Sequence, residues 1–274
     1  MNHFNPECSI APRVLATDLD GTLIPLPETE ANRTDLQCLA DHFAESQAPL
    51  VFATGRHFES VLDAIEQYNL PTPEWVVCDV GSAIYQRVGS GFQVFEKYES
   101  HLAETSGGLE RTRIEKTLST LDGLELQSPA HQQRFKISYQ SNSDSVVRLV
   151  DQVNEQLRTA RLPYECMGSV DPFSNCGLLD VMPAGVSKAY ALIWLSTHAD
   201  FSPDEVIYSG DSGNDYAALV SGFRAIVVAN GSEGLAEKVR AQLVSRGISD
   251  RFYLAVNPAT SGVLEGCRHF GLIS

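Results

Sequence analysis

At 274 residues, with hydrophobic residues at 43% and charged residues at 20%, the chain has enough apolar material for a sizeable core and length enough for two folding units. Its formal charge of −15, with no Lys/Arg run anywhere, excludes a nucleic-acid backbone or an anionic membrane as main partner, because both need clustered cations. The six cysteines are scattered without a C-x-x-C pair and read as free thiols, and no apolar run reaches signal-peptide or membrane-spanning length, so a soluble cytoplasmic protein is expected.

Val14-Leu15-Ala16-Thr17 opens a series of short, β-branched apolar runs, continued by Leu50 to Ala53, Trp75 to Cys78, Val206 to Ser209 and Ala225 to Val228. Such uninterrupted runs suit strands buried on both faces, as in a parallel sheet. Phe58, Val61, Leu62 and Ile65 follow the second run at helical spacing, and Leu235, Val239 and Leu243 follow the last. The pattern predicts an α/β fold, a doubly wound parallel sheet whose right-handed crossovers gather strand ends into one functional rim. The middle of the chain reads differently. Phe135 to Tyr139 alternates apolar and polar, as a strand with one wet face would, Val146, Leu149, Val150, Val153 and Leu157 mark a helix, and Leu178 to Met182 a further strand. Gly89-Ser90-Gly91 precedes this block and Pro183-Ala184-Gly185 follows it. The expectation is a core of residues 1–89 and 181–274 carrying an inserted α+β cap over 90–180.

The first run ends in Asp18-Leu19-Asp20-Gly21-Thr22. Two carboxylates so close need a cation or a proton between them, although a helix cap plus a turn aspartate is the alternative. The second run ends in Thr54-Gly55-Arg56, which offers a hydroxyl and backbone N–H groups to an anion or simply caps a helix. Lys188 stands near the start of a predicted helix, where a cation opposes the helix dipole; a nearby anion explains that, and so does a solvated surface lysine. Ser209 to Asp215 packs two carboxylates, an amide and two glycines into one loop, an oxygen donor set of the kind Mg²⁺ prefers but without EF-hand spacing.

The order Asp-x-Asp-Gly-Thr, Thr-Gly-Arg, Lys, Gly-Asp-x-x-x-Asp, running from Asp18 to Asp215, resembles the haloacid-dehalogenase-like hydrolase superfamily, and the place of the insertion resembles its second-site α/β cap, type IIB. Gly210 to Asp215, Lys136-Ile137-Ser138 and the tail Ala259 to Gly271 resemble the sucrose-phosphate phosphatase branch. Asp20-Gly21-Thr22 and a longer cap segment around Met167 to Gly177 depart from that branch.

The resemblance implies a Mg²⁺-dependent phosphomonoester hydrolase with a Rossmann-like core. Asp18 would be the nucleophile that becomes an aspartyl-phosphate, and Asp20 the acid and then the base. Thr54, Gly55, Lys188 and Asn214 would hold the phosphoryl group, and Asp18, Asp20 through its backbone carbonyl, Asp211 and Asp215 would make the metal site. Lys136, Ser169 and Asn175 are the cap candidates for sugar contact, with Tyr139, Tyr164 and Phe173 serving as stacking or core aromatics. Sucrose 6-phosphate is the first substrate candidate, ahead of glucosylglycerol phosphate, phosphorylated mannosyl- or glucosylglycerate and hexose phosphates, and the synthase that makes the substrate is the candidate protein partner. A phosphotransferase or mutase, and a non-catalytic sugar-phosphate-binding subunit, are the competing classes.

Overall fold

The computed structural model describes residues 10–46, 48–107, 111–170 and 175–274. Two compact units appear: Met1–Gly81 with Tyr85–Gln93 and Ser187–Ser274, and Ser82–Ile84 with Val94–Val186. The boundaries lie a few residues later than Gly89 and Asp180. The reason is local: Gly89 and Ser90 are the turn between β4 (Ala83–Val88) and β5 (Gly91–Val94), strands that extend the larger sheet, so this glycine signal marks a reversal rather than a linker. At the other end the last strand of the insertion runs on to Pro183.

In the first unit, β1 (Val14–Thr17), β2 (Leu50–Ala53) and β3 (Trp75–Cys78) are buried along their whole length, as their unbroken apolar sequences require. After the insertion come β10 (Val206–Gly210), β11 (Arg224–Val227) and β12 (Phe252–Leu254). The sheet order is β12-β11-β10-β1-β2-β3-β4-β5, with parallel pairing from β12 through to β3. The chain winds outward from β1 in one direction, then returns to its other side at β10. That reversal is the topological switch point where sites form in open α/β sheets, at the carboxyl ends of the strands. Helices α1 (Glu30–Ser46) and α2 (Phe58–Tyr68) follow β1 and β2.

The inserted unit holds α3 (Glu96–Thr105), α4 (Arg111–Leu118) and α5 (Val146–Thr159) and an antiparallel sheet of β6 (Glu125–Leu126), β7 (Ile137–Asn142), β8 (Tyr164–Val170) and β9 (Cys176–Pro183), in the order β6-β7-β9-β8. Its core joins Ile114 of α4 and Leu149 and Val153 of α5 to Ile137, Tyr164 and Leu179 of the sheet. The alternation in β7 is real, but its polar face is wet only toward the far end, where Gln140 and Asn142 are exposed. Lys136 and Ser138 are both buried, and Asp180 on the paired strand receives a 2.7 Å hydrogen bond from Ser138 Oγ and faces Lys136 Nζ at 3.5 Å. Cross-strand pairing of charge replaces water there.

Past the insertion, α6 (Lys188–His198), α7 (Tyr216–Leu219), α8 (Leu235–Ser245) and α9 (Ala259–His269) complete the first unit, and α9 packs against α1. Cys38, Cys166 and Cys267 are free thiols, while Cys8 lies outside the described residues. No helix among the described residues is long and apolar enough to cross a membrane.

Candidate active site

Parallel register puts Thr17 beside Ser209 and beside Phe52, so Asp18, Asp211 and Thr54 leave three adjacent strands at one edge. Asp18 N donates to Ser209 O at 3.0 Å, and a relay from Ser209 Oγ to Thr17 Oγ1 (2.7 Å) and on to Asp18 O (2.8 Å) ties the two strand ends together. The turn Leu19–Leu23 then folds back, with Gly21 at φ +73°. A Cβ at Gly21 would stand 2.5 Å from Asp211 Oδ2, so only glycine permits this approach. Two distant residues pin the turn: Asn230 Nδ2 donates to Gly21 O and Thr260 Oγ1 to Leu23 O, each at 2.7 Å.

Lys188, the first residue of α6, is wholly buried. Its Nζ donates to Asp18 Oδ1 and Asp215 Oδ1, each at 2.8 Å, and to Asn214 Oδ1 at 3.3 Å. Asp215 is saturated: Oδ1 also accepts from Tyr208 Oη at 2.6 Å, and Oδ2 accepts from Asp211 N, Ser212 N and Ser212 Oγ. This carboxylate organises the site. Burial opposes a charged lysine, yet Asp18 and Asp215 outweigh it and hold the Lys188 pKa above its ordinary value. Burial, with Asp215 and Asp211 nearby, pushes Asp18 up to about 8 despite the lysine's opposing pull. Burial and Asp215 likewise push Asp211 up to about 6.

Oxygens of Asp18, Asp211 and Asp215 lie within 4.8 Å of one another. This all-oxygen donor set suits a hard divalent cation. The raised pKa values of Asp18 and Asp211 are what crowded carboxylates show when one lysine must balance three of them. The residues therefore fit a metal, with Asp18 and Asp211 holding lone pairs in reserve that Asp215 has already committed.

Asp20 does not join that cluster through its side chain. Arg56 forks onto both its oxygens, Nε to Oδ2 at 2.7 Å and Nη2 to Oδ1 at 2.6 Å, while Nη1 is anchored on Ser60. Thr54 is buried at the end of β2, its Oγ1 accepting from Arg56 N at 3.1 Å, with Gly55 between them. The sequence motifs contain Arg56 and Ser212 without disclosing these duties. Tyr208 carries a faint signal, a phenol in a short buried strand of mainly apolar and small residues. Asn230 carries none.

The cap candidates belong to the inserted unit. Lys136 is committed to the Asp180 pair, Ser169 is exposed on β8 opposite Leu178, and Asn175 is exposed with φ +55°. Tyr139 and Tyr164 belong to the apolar cluster, and Phe173 lies outside the described residues.

A relative from Nitrosococcus oceani classed with the HAD-like hydrolases is 31% identical over 94% of this chain and 71% of its own. The mannosylfructose-phosphate phosphatase of Agrobacterium fabrum is 27% identical over 95% of this chain and 97% of its own. The solved structure of the sucrose-phosphatase from Synechocystis sp. PCC6803, in complex with sucrose and phosphate, matches with a TM-score of 0.76 at 24% identity, covering 97% of this chain and 100% of that one, a likeness of fold. The family model described as Sucrose-6F-phosphate phosphohydrolase matches residues 11–271. The chain belongs to that family, and is a sugar-phosphate phosphatase of the haloacid-dehalogenase type.

Proposed function

We propose that the chain is a Mg²⁺-dependent phosphatase of a phosphorylated glycosyl-fructose, with sucrose 6-phosphate the first candidate. One observation carries the chemistry: a carboxylate, Asp18, sealed from solvent, hydrogen-bonded to a fully buried lysine and grouped with two further carboxylates at the switch point of the sheet. The substrate class rests on the family description and on the relative that acts on mannosylfructose phosphate, both glycosyl-fructoses.

In this reading Asp18 attacks phosphorus while Lys188, Thr54, the Gly55 N–H and Asn214 steady the phosphoryl oxygens. The bond to the sugar oxygen breaks, and Asp20 gives that oxygen its proton. Asp20, now ionised, takes a proton from water as the water attacks the aspartyl-phosphate, which releases phosphate and regenerates Asp18. Asp18, Asp211 and the main-chain carbonyl of Asp20, oriented by Asp215, would hold Mg²⁺, which would supply positive charge against the phosphoryl group's repulsion of the nucleophile. The protein's own charge of −15 makes such local compensation necessary. Substrate choice is assigned to the inserted unit, with Lys136, Ser169 and Asn175 as its candidate contacts.

The test is a ranking of initial rates of phosphate release, with Mg²⁺ or with EDTA, on sucrose 6-phosphate, mannosylfructose phosphate, glucosylglycerol phosphate and glucose 6-phosphate. Mg²⁺-dependent release fastest on the glycosyl-fructoses is expected. Equal rates on all four would replace the assignment with a broad phosphatase, and phosphate passing to a sugar acceptor with no label from ¹⁸O-water would replace hydrolysis with transfer.

A further inference from the structure

Immediately after β3 the chain makes a short 3₁₀ turn, Asp79–Gly81, in which three consecutive residues have positive φ: 51°, 58° and 103°. Glycine adopts this region freely, but a β-branched residue such as Val80 is strained there, and such strain persists only where the surroundings impose it. Here they do. Asp79 N donates to Arg56 O at 2.9 Å and Val80 N to Thr54 O at 3.1 Å, so two successive N–H groups clamp the Thr54-Gly55-Arg56 loop from one side. Gly81 closes the other side. A Cβ there would collide with the carbonyl of Ser187 and stand 2.9 Å from Lys188 N, which places the turn directly against the start of α6.

We propose that the left-handed turn Asp79–Gly81 is a positioning strut that sets the spacing between Thr54 and Lys188. The inference rests on the reading of those two residues as phosphate holders. Val80 and Gly81 touch neither substrate nor reacting atoms in this account; they act through the loop and the helix start that they separate.

Two reference variants, Lys188→Met and Thr54→Ala, are measured first for binding of inorganic phosphate by titration calorimetry, which needs no turnover. Unchanged binding in both overturns the phosphate-site reading and the strut with it. With weakened binding established, Val80→Gly releases the strain and lets the spacing relax: kcat falls about tenfold and the inhibition constant for phosphate rises about tenfold, since small misplacements at a reacting centre are costly. Its melting temperature stays at or above that of the parent, a separation that a general packing role would not produce. Val80→Asn, which accepts the left-handed conformation readily, keeps parental kcat and phosphate inhibition. Gly81→Ala loses both functions, and Val80→Gly carries the test if Gly81→Ala fails to fold. Parental kinetics in Val80→Gly, or an equal loss in Val80→Gly and Val80→Asn, overturns the strut while leaving the phosphate-site reading in place.

Discussion

The ammonium of Lys188 lies 2.8 Å from Asp18 Oδ1, and both side chains are closed off from solvent. A buried pair of this kind is a poor source of net stability, because desolvation consumes the attraction, but breaking it leaves an uncompensated buried charge. Lys188→Met should therefore abolish phosphate release and also destabilise the fold by about 3–5 kcal/mol. Adding Asp18→Asn to Lys188→Met should recover part of that stability above about pH 8, where the Asp18 carboxyl would otherwise ionise without its partner. Denaturant unfolding of both variants checks this, and equal stabilities would contradict it.

The raised pKa values fix the sign of a pH effect. An aspartate titrates at about 3.9 when unfolded. Burial and carboxylate neighbours push Asp18 up to about 8 and Asp211 to about 6 in the folded chain without metal. The folded state then binds protons that the unfolded state has already lost, so these groups weaken folding progressively from about pH 4 to pH 8. A cation bound to the ionised carboxylates removes the penalty. The rise in melting temperature on adding Mg²⁺ should be larger at pH 8 than at pH 5.5, and an equal rise would count against the carboxylate cluster as the metal site.

Arg56 holds Asp20 by both oxygens, so its loss should matter most where proton donation matters most. Arg56→Ala should lower turnover of a sugar phosphate, whose alkoxide needs a proton, by at least about tenfold more than turnover of p-nitrophenyl phosphate, whose leaving group does not. The ratio of kcat values on the two substrates checks it; a uniform loss would mean that Arg56 acts elsewhere.

Thr260 reaches across from α9 to cap Leu23 O with a buried 2.7 Å hydrogen bond. Thr260→Val keeps the shape and strands that carbonyl, which should cost about 1–3 kcal/mol. For a chain of this size that is a drop in melting temperature of several degrees, readable by calorimetry. An unchanged melting temperature would show that the tail does not brace the loop carrying Asp20.

What the sequence discloses and what it withholds divide along a physical line. The unbroken runs at Val14, Leu50, Trp75 and Val206 announce buried parallel strands because burial on both faces is written locally, in each residue's own apolarity. Gly89-Ser90-Gly91 is ambiguous because a hairpin turn and a linker share the same glycine signal. Ser138 looks wet until Asp180, 42 residues away, is known to be its neighbour. The fork of Arg56 on Asp20 spans 36 positions and the bond from Asn230 to Gly21 spans 209. The type of chemistry is carried by motifs whose residues are each legible alone, whereas positioning is carried by pairs that exist only once the sheet order is set.

The most direct test of the account is the rate of phosphate release by Asp18→Asn, measured with Mg²⁺ on a sugar phosphate after circular dichroism and thermal unfolding have shown the variant to be folded. An amide cannot attack phosphorus as the carboxylate does, so the account predicts a folded protein with no detectable turnover. Appreciable turnover by the folded variant would remove Asp18 as nucleophile and with it the proposed mechanism.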